Sequence, residues 1–516
     1  MSVAMPETVW PSVVHMLADA ARRRPEATAL VCGDESLSYT EYAACAARFA
    51  RELQAAGAGA GTRVALLMDN SLDIAIATFA VQAAGAQLVP LNPAYTASEL
   101  MPMLEDAAPA AVVFDSAIAG VVRPLLARSP AFAGTLAIEI GSRARRLGAT
   151  GERTALDAEL PLPDPDSLST LQYTGGTTGR SKGVDLGHRA VAVNVSQREA
   201  LLPTRPDAER VLAPTPLFHV YAVSMGLYLA AHARAMLVLL PRYRPQAVLD
   251  AIAGHRVTLL AASPTILTGL MACEGFAAAD LSSLTLCFSG SSALPEATLR
   301  RWQEATGCGV VEGYGQSEAG PVLTYNPRDG LRKVGSVGIP LPATRIEIVD
   351  AATGSEVLGT GRLGEIRARG PQVMRGYRNL PAETAAALRD GWLYTGDIGE
   401  LDADGYLYIR DRKKDMVIVA GFNVYPREVE EALCAHPHVR EAAVVGVPDA
   451  YRGEALVASV VLASGVPPTD IDLIGWLAER LVRYKLPKSV RIVDALPKTG
   501  VGKVDKNRLR EISREA

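Results

Sequence analysis

The stretch YTGGTTGRSKG at residues 173–183 places four glycines, three threonines and one lysine in a single short segment. Glycines let successive backbone N–H groups turn inward, and hydroxyls and a lysine add donors around the resulting concavity. This composition predicts a phosphate-binding loop. It is not a Walker A loop, because the fifth residue after Gly176 is Ser181 and because Lys182 is followed by Gly183. A flexible surface loop is the alternative interpretation.

The residues that flank this loop favour an anion site. The preceding LSTLQ alternates apolar and polar residues as a strand does, and residues 189–199 have the pattern of a helix. We therefore expect the loop to connect a strand to a helix, which is a common location for bound anions.

Four more stretches carry residue types suited to chemistry: PLFHV from 216, EGYGQSEAG from 312, WLYTGD from 392 with DRKKD from 411, and LPKTGVGKVDKNRLR from 496. Glu318 offers a hard carboxylate of the kind that Mg²⁺ prefers beside substrate phosphates. Tyr314 offers an aromatic face on which a purine can stack, although a tyrosine considered alone is more often core packing.

Together with the glycine-rich loop, these stretches resemble the ANL family of adenylate-forming enzymes and, within it, the fatty acyl-CoA synthetases. The resemblance covers nearly the full chain, with every signature in the usual order. It implies a reaction in two steps: a carboxylate attacks the α-phosphate of ATP to give acyl-AMP and pyrophosphate, and the CoA thiol then displaces AMP. ATP, a carboxylic acid and CoA are the expected substrates, and Mg²⁺ is the expected metal.

The resemblance also implies roles for residues around the nucleotide. Asp397 and Arg412 are expected to bind the ribose hydroxyls, and Glu318 and Thr177 are expected to hold Mg²⁺. Ser317 replaces the threonine that usually contacts the α-phosphate. The residues expected to bind ATP or AMP are Thr174, Gly175, Gly176, Thr177, Thr178, Gly179, Lys182, Tyr314, Ser317, Asp397 and Arg412.

Lys503, Glu318 and His219 are the predicted catalytic residues. Attack by a carboxylate removes no proton, so the protein has to neutralise and align two anions, which suits the ammonium group of Lys503. His219 matches a histidine near the carboxylate site, but a histidine in an apolar segment is often a core residue. Lys414 matches the family's hinge position, and Gly421 matches the glycine beside which the pantetheine arm of CoA passes.

The acyl site is expected to form from the segment after His219, from SGSSALP at 289–295 and from EGYGQSE. Its predicted lining is Val220, Tyr221, Gly290, Ser291, Gly313 and Gln316, none of which is charged. Malonyl-activating relatives carry an arginine where this chain has Gly313, and we expect the glycine to leave a gap beside Tyr314 for an alkyl chain. The predicted substrates are apolar monocarboxylates, medium- to long-chain fatty acids first and aryl or cyclic acids second.

The first half of the chain alternates helix and strand patterns: a helix at 40–56, a strand at 63–68, a helix at 72–84 and a strand at 86–91. This alternation predicts an α/β fold with mostly parallel sheets, covered on both faces. After Glu365 short β segments prevail, and the charged run DRKKD marks the expected boundary. The predicted domains are an ATP- and acyl-binding domain at 1–411, with a small β-barrel-like part, and a mobile α+β domain at 412–516 that carries Lys503.

Composition excludes several other classes. The 516 residues are 49% apolar and 21% charged with a net charge of −4, so nothing favours a nucleic-acid partner. The most apolar stretch, 221–240, is interrupted by His232 and Arg234, and the N-terminus lacks the pattern of a secretion signal. We expect a cytoplasmic protein with no integral membrane segment, and a homodimer is left open. The six cysteines include no C-x-x-C pair, which favours reduced thiols.

Two other functions are compatible with the signatures. An acyl-AMP ligase would pass its adenylate to a carrier protein, but the insertion typical of that group after Glu318 is absent from the sequence. A regulatory protein that only binds nucleotide would have little need of Lys503. Release of pyrophosphate with acid and ATP separates an enzyme from a binder, and consumption of CoA separates the two enzymes.

The expected alternation of the small domain leads to a prediction about the two half-reactions. Lys503→Ala should abolish most adenylation, measured as pyrophosphate release, and should still allow thioester formation from supplied acyl-AMP. Gly421→Leu should do the opposite, because its side chain fills the pantetheine path and leaves the adenylation face intact. Equal losses in both half-reactions for both variants would contradict domain alternation.

Overall fold

The computed structural model describes residues 4–140, 159–174, 181–419, 422–449, 451–463, 465, 467, 471–499 and 503–515. The α-helices within these ranges are α1 Val13–Arg23, α2 Tyr39–Ala55, α3 Leu72–Ala83, α4 Ala97–Ala107, α5 Ala119–Arg128, α6 His188–Glu199, α7 Val220–Ala222, α8 Leu229–Ala233, α9 Pro245–His255, α10 Pro264–Met271, α11 Glu296–Thr306, α12 Pro381–Ala387, α13 Pro426–Cys434, α14 Leu473–Ala478 and α15 Lys506–Glu515. Between α7 and α8 the chain forms a π-helical segment, Val223–Tyr228.

The strands of the first half are β1 Thr28–Cys32, β2 Glu35–Ser38, β3 Arg63–Leu67, β4 Gln87–Leu91, β5 Ala111–Asp115, β6 Leu136–Ile140, β7 Leu168–Thr174, β8 Lys182–Gly187, β9 Arg210–Leu212, β10 Met236–Leu239 and β11 Leu259–Ala262. Those of the second half are β12 Leu286–Ser289, β13 Val310–Gly315, β14 Val322–Tyr325, β15 Ile339–Pro340, β16 Arg345–Val349, β17 Gly364–Arg369, β18 Gly376–Tyr377, β19 Leu388–Arg389, β20 Trp392–Leu401, β21 Leu407–Arg412, β22 Val417–Val419, β23 Phe422–Val424, β24 Val439–Asp449, β25 Gly453–Leu462 and β26 Ser489–Ile492.

Two large sheets form the frame of the molecule. One has nine strands in the order β15-β14-β13-β12-β11-β9-β10-β1-β2, and the other has seven in the order β18-β8-β7-β4-β3-β5-β6. The strands from β13 to β1 in the first sheet run parallel, as do β7, β4, β3, β5 and β6 in the second. Parallel sheets need cover on both faces, which the helices between the strands provide. The predicted α/β fold is confirmed.

Helix α6 lies between the two sheets and is buried almost all round. All but two of its 12 residues are buried, from His188 to Arg198. A helix without a polar face has to be surrounded by protein, and α6 contacts β7, β8, β14 and the π-helical segment. Its polar side chains therefore need partners in the core, and Asn194 finds them in the backbone of Val322.

The remaining strands form two smaller, mainly antiparallel sheets. One has the order β16-β17-β20-β19, with β21 paired to β20, and corresponds to the β-rich part expected after the α/β region. The other has the order β23-β22-β25-β24, with β26 on β25, and contains only residues after 416. We call the first of these the third sheet of the molecule. Arg412 is the last residue of its strand β21, so the predicted boundary between 411 and 412 falls one residue before the end of that strand. That boundary stays a prediction.

Local sequence accounts for the helix starts. Ser38 caps α2: its hydroxyl accepts from the Glu41 backbone N–H, and its own backbone N–H donates to the Glu41 carboxylate. Thr96 and Glu99 form the same capping box at α4. The predicted elements at 40–56, 63–68, 72–84 and 86–91 match α2, β3, α3 and β4 within one residue or so. The pattern of alternation was thus a reliable guide here.

The expected connection of the glycine-rich loop was wrong. The loop follows β7 as predicted, but it leads into β8, which pairs antiparallel with β7 from Leu168↔Gly187 to Thr174↔Lys182. The loop therefore joins two strands of a hairpin, and α6 begins only after β8. The error arose because KGVDLG is short and contains two glycines, so its pattern does not predict a strand.

Two expectations from composition can be compared with the described residues. No helix among them is long and apolar enough to cross a membrane. All six cysteines are free thiols, and burial raises the pKa of Cys287, whose Sγ lies 3.7 Å from that of Cys308.

Candidate active site

The residues that follow the parallel strands β9, β11 and β12 line one cleft at the carboxyl ends of these strands, which is where open α/β sheets bind ligands. The cleft has about 340 Å³ of unfilled space, part of it open to solvent. Its walls are rich in hydroxyl groups, which suits a polar and anionic ligand. The residues that line it are Thr215, Pro216, His219, Ser263, Thr265, Ser291, Ser292 and Lys503.

Lys503 enters this cleft from the C-terminal part of the chain. Its backbone carbonyl accepts from the Thr499 N–H at 2.7 Å, in a turn that also pairs Lys498 with Val504. Burial in the cleft is the main reason why its pKa falls to about 8, and the charge of Arg412 lowers it further, whereas Asp397 and Glu318 oppose that fall. Lys503 is thus a cation at neutral pH, close to its titration point.

Asp397 and Arg412 face each other because β20 and β21 pair antiparallel with these two residues in register. The Arg412 Nε lies 3.5 Å from one carboxylate oxygen of Asp397, and the Tyr314 hydroxyl donates to the other at 2.7 Å. The pKa of Asp397 lies above its ordinary value, because burial outweighs the help of Arg412 and Tyr314. Arg412 and Tyr314 therefore both contact the Asp397 carboxylate, which joins the predicted ribose-binding pair to the tyrosine predicted to stack on adenine.

Glu318 lies in the 3₁₀ turn Ser317–Ala319 directly after β13. The Tyr377 hydroxyl donates to its Oε1 at 2.8 Å, and the Lys182 Nζ lies 4.2 Å from the centre of the Tyr377 ring. Tyr377 thereby connects the lysine that follows the glycine-rich loop with the predicted metal carboxylate.

The donor set around Glu318 fits a Mg²⁺ ion that is bound mainly through phosphates. The described residues contain no group of three or more His, Cys, Asp or Glu that could hold a metal without other ligands. Mg²⁺ commonly takes one carboxylate, several waters and substrate phosphate oxygens. A single glutamate beside a nucleotide site is sufficient for that mode of binding.

His219 is neutral in this cleft. Burial lowers its pKa to about 3, and the charge of Lys503 adds to the effect. Its Nδ1 accepts from the Tyr221 backbone N–H at 3.3 Å, where His219 caps α7. The proton therefore resides on Nε2, so the ring can donate a hydrogen bond to an oxygen in the cleft and cannot supply a positive charge.

The expected gap beside Gly313 is absent. A Cβ built on Gly313 would collide with the ring of Tyr325, which is buried against it. Gly290 is similar, since its Cβ would lie 2.7 Å from the Tyr221 ring. The sequence could not reveal this, because β13 and β14 pair Gly313 with Tyr325 across a hairpin. The Tyr325 ring therefore fills the space that Gly313 was expected to leave open.

The other predicted residues are distributed as follows. Val220 and Ser291 lie beside the cleft, Gln316 and Ser317 are partly exposed between Tyr314 and Glu318, and Thr174 ends β7. Lys414 is exposed just after β21. Gly175, Gly176, Thr177, Thr178, Gly179 and Gly421 lie outside the described residues.

Three residues near this site were missed by sequence reasoning: Tyr377, Tyr325 and Arg198. Tyr377 lies 59 residues from Glu318, and Tyr325 reaches Gly313 through the register of the β13–β14 hairpin, so no local sequence pattern predicts either contact. Arg198 is in the last turn of α6, where a basic residue is ordinarily attributed to the helix dipole. The available signal was the lack of a polar face in HRAVAVNVSQRE, which indicates a buried helix.

The sequence matches known proteins over nearly its full length. Residues 17–378 match the family described as AMP-binding enzyme, and residues 428–503 match its C-terminal domain. A long-chain-fatty-acid–CoA ligase from Bacillus subtilis (strain 168) is 38% identical over 96% of this chain and 93% of that protein. A feruloyl-CoA synthase from Amycolatopsis sp is 38% identical over 95% of this chain and 96% of that protein.

A solved structure has a similar fold over nearly the whole chain. ATP-bound MatB from Rhodopseudomonas palustris has a TM-score of 0.88 and 34% identity, covering 98% of this chain and 99% of that chain. The chain therefore belongs to the AMP-binding enzyme family. The predicted enzyme class, an AMP-forming acid–thiol ligase, is confirmed, and ATP and CoA as substrates agree with it.

The low pKa of Lys503 leads to a prediction about pH. Because the lysine is cationic below about pH 8 in the free enzyme, kcat/KM for pyrophosphate release should fall as pH rises through that value. Bound phosphates favour the cation, so kcat should fall only at higher pH. Lys503→Arg should remove the alkaline fall in kcat/KM, even at lower activity, since arginine stays protonated. A wild-type kcat/KM for pyrophosphate release that stays constant up to pH 9.5 would contradict the participation of the Lys503 ammonium group in adenylation.

The contact of Tyr377 with Glu318 leads to a second prediction. Tyr377→Phe keeps the ring beside Lys182 and removes only the hydroxyl, so kcat/KM for ATP should fall about tenfold, equivalent to ~1.4 kcal/mol for a hydrogen bond to a charged group. The Mg²⁺ concentration for half-maximal activity should rise. Tyr377→Leu, the companion variant, should lose more because the Lys182 contact also goes. An unchanged Mg²⁺ dependence in Tyr377→Phe would show that the hydroxyl does not position Glu318.

Proposed function

We propose that this protein activates an apolar monocarboxylic acid, with medium- to long-chain fatty acids as the preferred class, first to acyl-AMP and then to acyl-CoA. The observation that carries the proposal is that Lys503 lines a hydroxyl-rich cleft and lies close enough to Asp397, Arg412 and Glu318 for their charges to shift its pKa. Lys503 belongs to the C-terminal part of the chain, whereas Glu318 follows β13, Asp397 lies within β20 and Arg412 ends β21.

In the adenylation step each group has a defined task. The Lys503 ammonium lies between the incoming carboxylate and the α-phosphate and offsets their repulsion. The Nε2–H of His219 donates to a carboxylate oxygen and orients it, since the neutral ring needs no proton transfer. Asp397 and Arg412 hold the ribose, with Tyr314 against the base. When Mg²⁺ is bound near Glu318, it neutralises charge on the phosphates.

For thioester formation, Lys503 has to leave so that CoA can approach, and the contacts around Lys414 favour a hinge at that residue. Lys413 is bonded to Glu365 of the third sheet at 2.8 Å. Asp415 is paired with Arg510 of the C-terminal helix α15. Because the neighbours on either side of Lys414 are anchored to different parts of the chain, a rotation concentrates its backbone change at Lys414. This arrangement supports the domains proposed at 1–411 and 412–516.

A second cavity supports an apolar acyl group. It has about 360 Å³ of unfilled space, part of it open to solvent, between the seven-stranded sheet and the π-helical segment. Val220, which follows His219 in the chain, is one of its lining residues. Most of its lining is aliphatic, so burial of each CH₂ would contribute about 0.8 kcal/mol. The residues that line it are Leu88, Pro90, Thr170, Gln172, Leu186, Val191, Leu217, Val220, Val223, Ser224, Tyr228, Gly320 and Pro321. The Bacillus subtilis relative, named for long-chain fatty acids, agrees with this choice.

An aryl acid is the second candidate substrate. The Amycolatopsis relative, which is 38% identical to this chain, is named for feruloyl-CoA. That similarity keeps aryl acids in the series to be tested.

The proposal is tested by kcat/KM for acetate, malonate, benzoate, octanoate, dodecanoate and palmitate, with pyrophosphate and thioester both measured. If the acyl group is buried in an apolar cavity, kcat/KM should rise by up to about fourfold per added methylene until the cavity is filled. Lys503→Ala serves as the control for enzyme-dependent adenylation. Malonate or acetate leading the series would overturn the apolar assignment, and benzoate ahead of all fatty acids would select the aryl alternative.

A further inference from the structure

The last turn of helix α4 binds side chains from two distant parts of the chain. The Tyr173 hydroxyl lies 2.6 Å from one carboxylate oxygen of Asp106 and 2.9 Å from the Met103 carbonyl oxygen. The Asn379 amide donates to the other Asp106 carboxylate oxygen at 2.9 Å, and the Arg378 Nε donates to the Asp106 backbone carbonyl at 2.8 Å. Asp106 therefore connects α4 both to strand β7 and to the segment that follows β18.

The position of Asp106 is unfavourable for the helix that carries it. Carbonyl groups at the carboxyl end of a helix lack partners within the helix and favour positive charges, which Arg378 supplies at Asp106 and Arg63 supplies at Ala107 and Ala108. A carboxylate at this end opposes the helix dipole, so the Asp106 side chain does not stabilise α4 itself. Its carboxylate instead stabilises the contacts with the two neighbouring segments.

The first of these segments is the hairpin that ends at the predicted phosphate-binding residue Lys182. Tyr173 on β7 lies opposite Gly183 on β8, and a Cβ on Gly183 would lie 3.2 Å from the Tyr173 ring. The Gly183 carbonyl also accepts from the Arg378 backbone N–H at 2.8 Å. Asp106 therefore holds the strand position next to Lys182 in two ways, directly through Tyr173 and indirectly through Arg378.

The second segment, residues 377–379, begins with the tyrosine that joins the two groups predicted to act on the phosphates. The Tyr377 hydroxyl donates to Glu318 at 2.8 Å, and its ring centre lies 4.2 Å from the Lys182 Nζ. A shift of this segment away from α4 would move Tyr377 relative to both Glu318 and Lys182. Small displacements of groups that align reacting phosphates reduce the rate strongly.

The donors that reach the Asp106 carboxylate are preset for this contact. Burial and the hydrogen bond to Asp106 raise the pKa of the Tyr173 hydroxyl, so it stays a donor across the pH range of any assay. Asn379 has a φ of 53°, a left-handed conformation that asparagine adopts more readily than most residues. Hydrogen bonds to a carboxylate are stronger than those between neutral groups, so Asp106 can hold both segments in one arrangement.

We propose that Asp106 is a positioning residue that holds Lys182 and Tyr377 in place for the phosphates and the Mg²⁺ ion of bound ATP. It acts through Tyr173 and Asn379 rather than by contact with the substrate. This inference rests on the proposed function, because it names a residue that orients the nucleotide for the adenylation step. Thioester formation from supplied acyl-AMP involves neither the β- nor the γ-phosphate, so that half-reaction is independent of Asp106.

The test measures both half-reactions and, by calorimetry without any acid, the Kd for MgATP. In Asp106→Ala the KM for ATP in pyrophosphate release and the Kd for MgATP should each rise about tenfold, as expected for lost hydrogen bonds to a charged group. The KM for the acid and the rate of thioester formation from supplied acyl-AMP should stay within about twofold of the wild type. Glu105→Ala changes the exposed carboxylate next to Asp106 on the same helix, so it is the matched control and should leave all these quantities unchanged.

Two milder variants apply the same criterion if Asp106→Ala does not fold. Tyr173→Phe and Asn379→Gly each remove one donor, and glycine tolerates the left-handed backbone, so each should raise the KM for ATP about threefold. Tyr173→Phe added to Asp106→Ala should have little further effect, because the bond it removes is already lost.

The outcomes separate the role of Asp106 from a general loss of stability and from the proposed function. An unchanged KM for ATP in these variants, or an equal loss in both half-reactions, would overturn the positioning role of Asp106. A wild type that binds no MgATP and releases no pyrophosphate with any acid would instead overturn the proposed function.

Discussion

The balance of charge around Lys503 is the constraint on which the site depends. A lysine buried between two parts of one chain loses hydration, and Arg412 repels it, whereas Asp397 and Glu318 offset these costs. The Asp397 carboxylate also accepts a hydrogen bond from the Tyr314 hydroxyl, and the Glu318 carboxylate accepts one from the Tyr377 hydroxyl. The position of the C-terminal part is thus coupled to the groups that hold the nucleotide. A bound triphosphate would strengthen this attraction, and its departure would weaken it, so the ligand itself favours one arrangement of the chain over another.

Sequence patterns predict the fold well where the local signal and the tertiary environment agree. The helices at 39–55 and 72–83 begin at capping serines and have the expected lengths, and the buried parallel strands read as short apolar runs. The hairpin of β7 and β8 was not predicted because four of the six residues of its second strand are glycine or charged. Its structure comes from pairing with β7 and β18, which no local pattern records.

The residues of the candidate site divide in the same way, into those that a local sequence signal predicts and those whose role depends on tertiary contacts. Residues within conspicuous motifs, such as Glu318, Asp397 and Lys503, were found because their types and order are distinctive. Residues that act by filling space were not, because the volume beside Gly313 depends on a ring that arrives from the next strand. Arg198 shows a third case, in which the residue type was visible but its burial was not. Burial inverts the ordinary interpretation of an arginine at the end of a helix.

The π-helical segment Val223–Tyr228 determines how the residues that precede it are rotated about the helix axis relative to the buried helix α8. A π turn accommodates one residue more than an α turn, and each residue of a helix turns the chain by about 100°. Loss of one residue from this segment would restore an α-helix and rotate Val220 and Tyr221 relative to α8, while the buried face of α8 stayed in place. The lining of the acyl site can therefore be reorganised by a change of chain length, a route to new substrates in evolution that requires no substitution of any lining residue.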